Sequence, residues 1–181
     1  MKRVGIVVGH LPTCIDGGAY NEAHGMSEFD YNNQLAPRIA EALRILGFHP
    51  TIIYRETYSK LPAHINHILE GQGICISLHC NAANRRPNGC ETLYYKGSAK
   101  SKRLAECVLK QVHSVMQNRN RGTKAISEGG RGHRLLFGTK MPCIIVEPFF
   151  IDADCSLEIA LEKIDALGDA IAKGIKEFSE V

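Results

Sequence analysis

Tryptophan is absent from the chain, and aromatic residues together make up only 7% of it. Recognition of sugars or bases therefore cannot rest on a row of stacking indoles. An excess of charge is missing too: 22 basic residues face 19 acidic ones, a net charge of +3, whereas nucleic-acid binders show a concentrated basic footprint. No nucleic-acid partner is expected. Seven cysteines occur, but no C-x-x-C pair. The nearest two, Cys75 and Cys80 in ICISLHC, fit neither a zinc knuckle nor a disulfide framework. Cys75, Cys107 and Cys143 sit in apolar runs, where a free thiol in a reducing compartment acts as a small hydrophobe. No apolar stretch approaches the length of a membrane span. MKRVGIVVGH turns polar at His10, far short of a secretory h-region with its cleavage site. These absences predict a protein synthesised in the cytoplasm without a signal peptide and without membrane insertion, and a monomer is expected.

What is present is enough for one core. With 181 residues, 44% of them apolar, a single domain over residues 1–181 would bury roughly 70% of its unfolded surface. The short apolar runs VGIVV (4–8), GICISLH (73–79) and PCIIVE (142–147) read as buried parallel strands. TIIYR (51–55) and CETLYY (90–95) are further strand candidates, and RLLFG (134–138) a weaker one. Helical patterns alternate with them. Residues 28–46 carry Leu35, Ile39, Leu43 and Leu46 at helical spacing, with Ser27 as N-cap, Gly47 past the end and Pro37 inside, where it should kink the helix. Helices are also expected over 61–69, 98–116 and 156–178. The alternation predicts an α/β fold, a mostly parallel twisted sheet flanked by helices on both faces. The Gly-rich segment 119–138 reads as a long loop near the site.

In such sheets ligands bind beyond the carboxyl ends of the strands. Three strands end in chemically competent residues: VGIVV runs into His10, GICISL into His79, and PCIIV into Glu147. Two imidazoles and a carboxylate with an open fourth position form a known catalytic zinc set. Taken singly, His79 could be a hydrogen-bonded core histidine and His10 a loop residue. Glu147, between CIIV and PFF, reads as a buried acid, and such acids are rarely unpaired. Other candidates have bland readings. His64 and His67 stand three apart on a helix, more typical of a solvated face, and His113 is similar. Cys80 cannot pair with the adjacent His79, because neighbours on a strand point to opposite faces. The cluster Arg119, Arg121, Lys124, Arg131 and Arg134 lacks the interleaved aromatics of a nucleic-acid groove and fits better as an attractive surface for an anionic wall or a substrate carboxylate.

Four motifs in order resemble the zinc-dependent N-acetylmuramoyl-L-alanine amidases of the amidase-3 type, endolysin catalytic domains among them. They are VVGHLPTCIDGGA, EFDYNNQLA from Glu28, SLHCNA from Ser77, and MPCIIVEPFF. The likeness covers nearly the whole chain. It implies one zinc ion per chain bound by His10, Glu28 and His79, with Glu147 as the catalytic carboxylate and Asn81 as a candidate to position substrate or a ligand. The carboxylate ligand stays open, since Glu22 also follows His10, although Glu28 matches the family pattern and opens a helix. Cys80 and Pro148 depart from the usual Ala and aliphatic residue without removing a functional group. The implied substrate is bacterial peptidoglycan, cut between N-acetylmuramic acid and L-alanine, and a zinc peptidase cleaving within the stem peptide is the alternative. With no signal peptide, the wall would be reached by release at phage lysis or an equivalent route. A long inhibitory helical insertion has no room between Ala82 and Pro142, so an open site is expected.

Overall fold

The computed structural model describes residues 2–86 and 88–180. From the amino end, β1 (Arg3–Val8) leads through a short helix α1 (Thr13–Asp16) and a small hairpin, β2 (Tyr20–Asn21) with β3 (Met26–Ser27), into α2 (Glu28–Ile45). Then come β4 (His49–Tyr54), α3 (Leu61–Ile68), β5 (Ile74–Leu78), β6 (Cys90–Tyr95), α4 (Ala99–Met116) and β7 (Asn120–Ile126). The chain finishes with α5 (His133–Gly138), β8 (Cys143–Glu147), α6 (Asp154–Glu162) and α7 (Ile164–Ser179).

Six strands form one sheet in the order β4-β1-β5-β8-β6-β7. Every neighbouring pair is parallel except β6 with β8. The sheet is therefore mostly parallel, with its last two strands reversed. Both faces are covered, which is why the central strands read as unbroken apolar runs rather than alternating ones. Ile6, Val8, Ile76, Leu78, Ile144 and Val146 pack with residues of α2, α4 and α7 in one core. The alternate residues Val7, Cys75, Cys143 and Ile145 join Leu61 and Ile65 of α3 and Leu135 and Leu136 of α5 on the other face. Among the described residues no helix is long and apolar enough to cross a membrane.

The ends of α2 are fixed by local chemistry. At its start Ser27 and Asp30 form a capping box, each side chain taking the other's backbone N–H. At its end Gly47 adopts φ +82°. There its N–H donates to the Arg44 carbonyl while that of Phe48 donates to Leu43, the double bond of a Schellman stop. The helix continues through Pro37.

Three expectations are corrected. RLLFG is helical, forming most of α5; a short apolar run does not reveal its period, and here Leu135 and Leu136 are buried while Phe137 is 60% exposed. The segment 119–138 is not one long loop, because β7 pairs along β6 as an edge strand; its polar, largely uncovered sequence NRGTKAI hides a strand from any reading based on hydrophobicity. The single helix expected over 156–178 is two, broken at Lys163.

Candidate active site

β1, β5 and β8 run side by side and end at one rim. The ladder continues one step past each strand, with Gly9 N–H donating to the Leu78 carbonyl at 3.0 Å and His79 N–H to the Val146 carbonyl at 3.0 Å. His79 is thereby anchored by its own backbone bond and His10 by that of its neighbour Gly9. The chain then turns at His10 in the left-handed region, φ 64°, which costs a residue with a Cβ of order 1 kcal/mol. Glu28, the first residue of α2 and 3% exposed, meets both rings: its Oε1 lies 2.8 Å from His79 Nδ1 and 3.3 Å from His10 Nε2. The rings stand edge to face, centroids 5.1 Å apart. One ligand-capable atom from each of the three lies within 4.8 Å of the other two, so the group could hold a metal ion.

The surroundings suit a cation. Burial pushes the Glu28 carboxyl up, but hydrogen bonds and charge from His10 and His79 outweigh it and hold the group well below the usual carboxylate range. The backbone N–H groups of Cys80 (2.9 Å) and Ala19 (3.3 Å) donate to its two oxygens and fix its plane. Behind the first histidine, Asp16 Oδ1 lies 3.2 Å from His10 Nδ1, and Arg55 is ion-paired to the other oxygen of Asp16. Burial lowers the His10 pKa, yet Glu28 and Asp16 together raise it above its ordinary value. Two glycines make the room. A Cβ on Gly9 would sit 2.8 Å from His79 Nε2, and one on Gly18 (φ +75°) 2.7 Å from both Glu28 Oε2 and His10 Cδ2.

A cavity of about 490 Å³ opens over this group, walled by Ala19, Leu135 and Ile145 and lined also by Arg55, Arg131 and Glu147. Glu147, the last residue of β8, is 3% exposed. Its Oε1 lies 3.1 Å from Arg131 Nη2, and among the described residues its enclosed Oε2 has no hydrogen-bond partner. Burial pushes its pKa up to about 7, with Glu91 and Glu28 adding to the rise and Arg131 and Arg121 opposing it. A carboxyl so poised can take and return a proton near neutral pH.

His10, Glu28, His79 and Glu147, picked out in the sequence, thus come together on one cavity. Glu22 does not join them. It lies on the turn after β2 and pairs with Arg85 at 2.7 Å, both side chains largely exposed. His64 and His67 are exposed on α3, and His113 is half-buried on α4. Cys80 is buried among the residues of the α2 face. Asn81, 5% exposed, accepts from Arg131 Nη1 at 3.4 Å. The basic cluster is partly neutralised, since Arg121 and Arg131 both pair with Glu91. Sequence reasoning missed Glu91, Asp16 and Arg55. Glu91 carried a signal, a lone acid opening the apolar run CETLYY; Asp16 and Arg55 carried none.

Comparison with known proteins places the chain in a family. A family model described as N-acetylmuramoyl-L-alanine amidase, of the amidase-3 type, matches residues 4–177. The N-acetylmuramoyl-L-alanine amidase LytC of Bacillus subtilis (strain 168) is 31% identical over 142 residues, covering 75% of this chain and 27% of LytC. The chain therefore spans little more than a quarter of that relative's length. Among solved structures, the catalytic domain of an endolysin targeting Clostridia difficile superposes with a TM-score of 0.82 at 26% identity, covering 98% of each chain. Cwp6 from Clostridium difficile gives a TM-score of 0.85 at 28% identity, covering 97% of this chain and 29% of Cwp6.

Proposed function

Because the chain belongs to the N-acetylmuramoyl-L-alanine amidase family of the amidase-3 type, we propose that it is a zinc-dependent hydrolase of the bond joining N-acetylmuramic acid to L-alanine in peptidoglycan. His10, Glu28 and His79 hold one zinc ion, and Glu147 is the general base. The observation that carries this reading is the meeting of a three-ligand group within 4.8 Å with a buried carboxyl whose pKa is raised to about 7 on one cavity.

A zinc ion held there supplies Lewis acidity, which acidifies water and polarises a carbonyl oxygen. Glu147 takes a proton from the attacking water as the water oxygen bonds to the lactyl carbonyl carbon. It returns that proton to the nitrogen as the C–N bond breaks, leaving a lactyl carboxyl group and the free amino group of L-alanine. Asp16 holds the His10 ring in one orientation, the usual task of a carboxylate behind a ligating histidine. Ala19, Leu135 and Ile145 give the cavity an apolar wall. The chain works as a monomer on the cell wall, which it reaches after synthesis in the cytoplasm.

Product chemistry tests the reading. Digested peptidoglycan should release stem peptides with L-alanine at the new amino terminus and no new reducing sugar ends. New termini inside the stem peptide would instead make the enzyme a peptidase.

A further inference from the structure

Directly across the sheet from Glu147 stands a second buried carboxylate that the reaction above leaves unused. Glu91, 3% exposed, is the cross-strand partner of Glu147 in the β6–β8 register. Like charges placed opposite one another on neighbouring strands destabilise a sheet, and burial sharpens the penalty. Arg131 answers both acids at once. Its Nη2 lies 3.0 Å from Glu91 Oε1 and 3.1 Å from Glu147 Oε1, while Nη1 donates to Asn81 Oδ1 at 3.4 Å.

The sharing is unequal. Glu91 has an arginine on each oxygen, since Arg121 Nε donates to Oε2 at 2.9 Å, and the two guanidinium groups overcome burial to hold its carboxyl below the usual range. Among the described residues Glu147 has an ion pair with Arg131 alone. Arg131 itself belongs to the turn GGRGH, between two glycines, and its side chain is 56% exposed. A long side chain on such a turn keeps one position only if something rigid holds its tip. Glu91, on a strand hydrogen-bonded to neighbours on both sides, is that support.

We propose that Glu91 and Arg131 are positioning residues for the reaction: Glu91 anchors Arg131, and Arg131 holds the Glu147 carboxylate in place over the metal pocket. When Glu147 takes up a proton its pull on Arg131 falls away, and Glu91 with Asn81 keeps the guanidinium where the regenerated carboxylate meets it again. The inference rests on the reading of Glu147 as the base.

The test compares E91Q, E91D, R131A and the double variant E91Q/R131A, each zinc-loaded, on a soluble N-acetylmuramoyl-L-alanyl peptide. Misplacing a catalytic group by about 1 Å costs on the order of 100-fold. E91Q and R131A should each lose about 10- to 100-fold in kcat while KM stays within about threefold and zinc content is unchanged. The double variant should be no slower than R131A, because Glu91 acts through Arg131. E91D, which keeps the charge, should recover part of the rate. Parental kcat in E91Q, loss of its zinc, or losses that multiply in the double variant would each overturn the proposal. If the parent enzyme releases no stem peptides, the amidase reading fails on its own, and a crystal structure of E91Q still decides the pairing. A displaced Arg131 with a reoriented Glu147 supports it; an unmoved Arg131 and Glu147 overturns it.

Discussion

The Nδ1 of His10 lies 3.2 Å from Oδ1 of Asp16, so the ring presents its Nε2 toward Glu28 and the pocket. Asp16 is fixed in turn by Arg55, whose side chain is only 10% exposed. Residues behind metal ligands typically contribute about 10- to 100-fold in metal affinity. Asp16→Asn should therefore weaken zinc binding by about that factor while the protein stays folded, as read by competition with a chelator and by circular dichroism.

Ligand identity is tested by metal content. His10→Ala and His79→Ala should each abolish stable zinc retention, and Glu28→Gln should lower it sharply, with one zinc per chain in the parent. Glu22→Gln should leave zinc unchanged, since Glu22 only pairs with Arg85 at the surface. The reverse ranking of Glu22 and Glu28 would move the ligand to the hairpin.

Glu147→Gln should keep its zinc and lose at least about 100-fold in turnover, the lower figure for general acid-base catalysis. In the zinc-free protein, Glu147 should give stability a pH signature. The folded pKa is raised from 4.5 to about 7, so the native state holds a proton that the unfolded chain releases. The stability this contributes is fully present below about 4.5 and is lost as pH rises through about 7. The glutamine variant has no such proton to lose. Its melting temperature, with both proteins zinc-free, should therefore gain on that of the parent between pH 5 and pH 8, and scanning calorimetry at the two pH values gives the comparison.

Gly18→Ala should damage the metal site without touching a ligand. The added methyl would meet Glu28 and His10, and φ is +75°, a conformation that costs a Cβ-bearing residue roughly 1 to 2 kcal/mol. Zinc affinity should fall, and the melting temperature should drop by several degrees. Unchanged zinc affinity would mean that the Gly18 segment moves aside freely.

His10, His79 and Glu147 were legible because each lies at or just past the carboxyl end of a buried parallel strand, and those ends share a rim. Glu28 was legible through a motif and a helix start, with Ser27 and Asp30 supplying the capping chemistry. Glu91 escaped the same reasoning for one physical reason: β6 runs against β8, so the residue that β6 delivers to that rim is at its beginning. Strand direction at a mixed sheet's edge depends on which neighbours pair, and local pattern carries no record of it. Asp16 and Arg55 were hidden differently. One lies on a four-residue helix and the other just past β4, 39 positions away in the chain, with no periodicity linking them.

The place of β8 in the sheet has a consequence for how the molecule is made. Synthesis delivers β1, β4 and β5, with all three proposed ligands, in the first 79 residues, and then β6 and β7, which run the opposite way. Neither group has a strand in common with the other until β8 is made, some fifty residues after β6 begins, and slides between β5 and β6 as their shared neighbour. That late wedge ends in Glu147. Pairings so distant in sequence form slowly, and until this one closes a nascent chain has its proposed metal ligands in hand but no continuous sheet. The strand that unites the two halves of the sheet is also the strand that brings the proposed base, so closing the sheet and completing the proposed site are a single event.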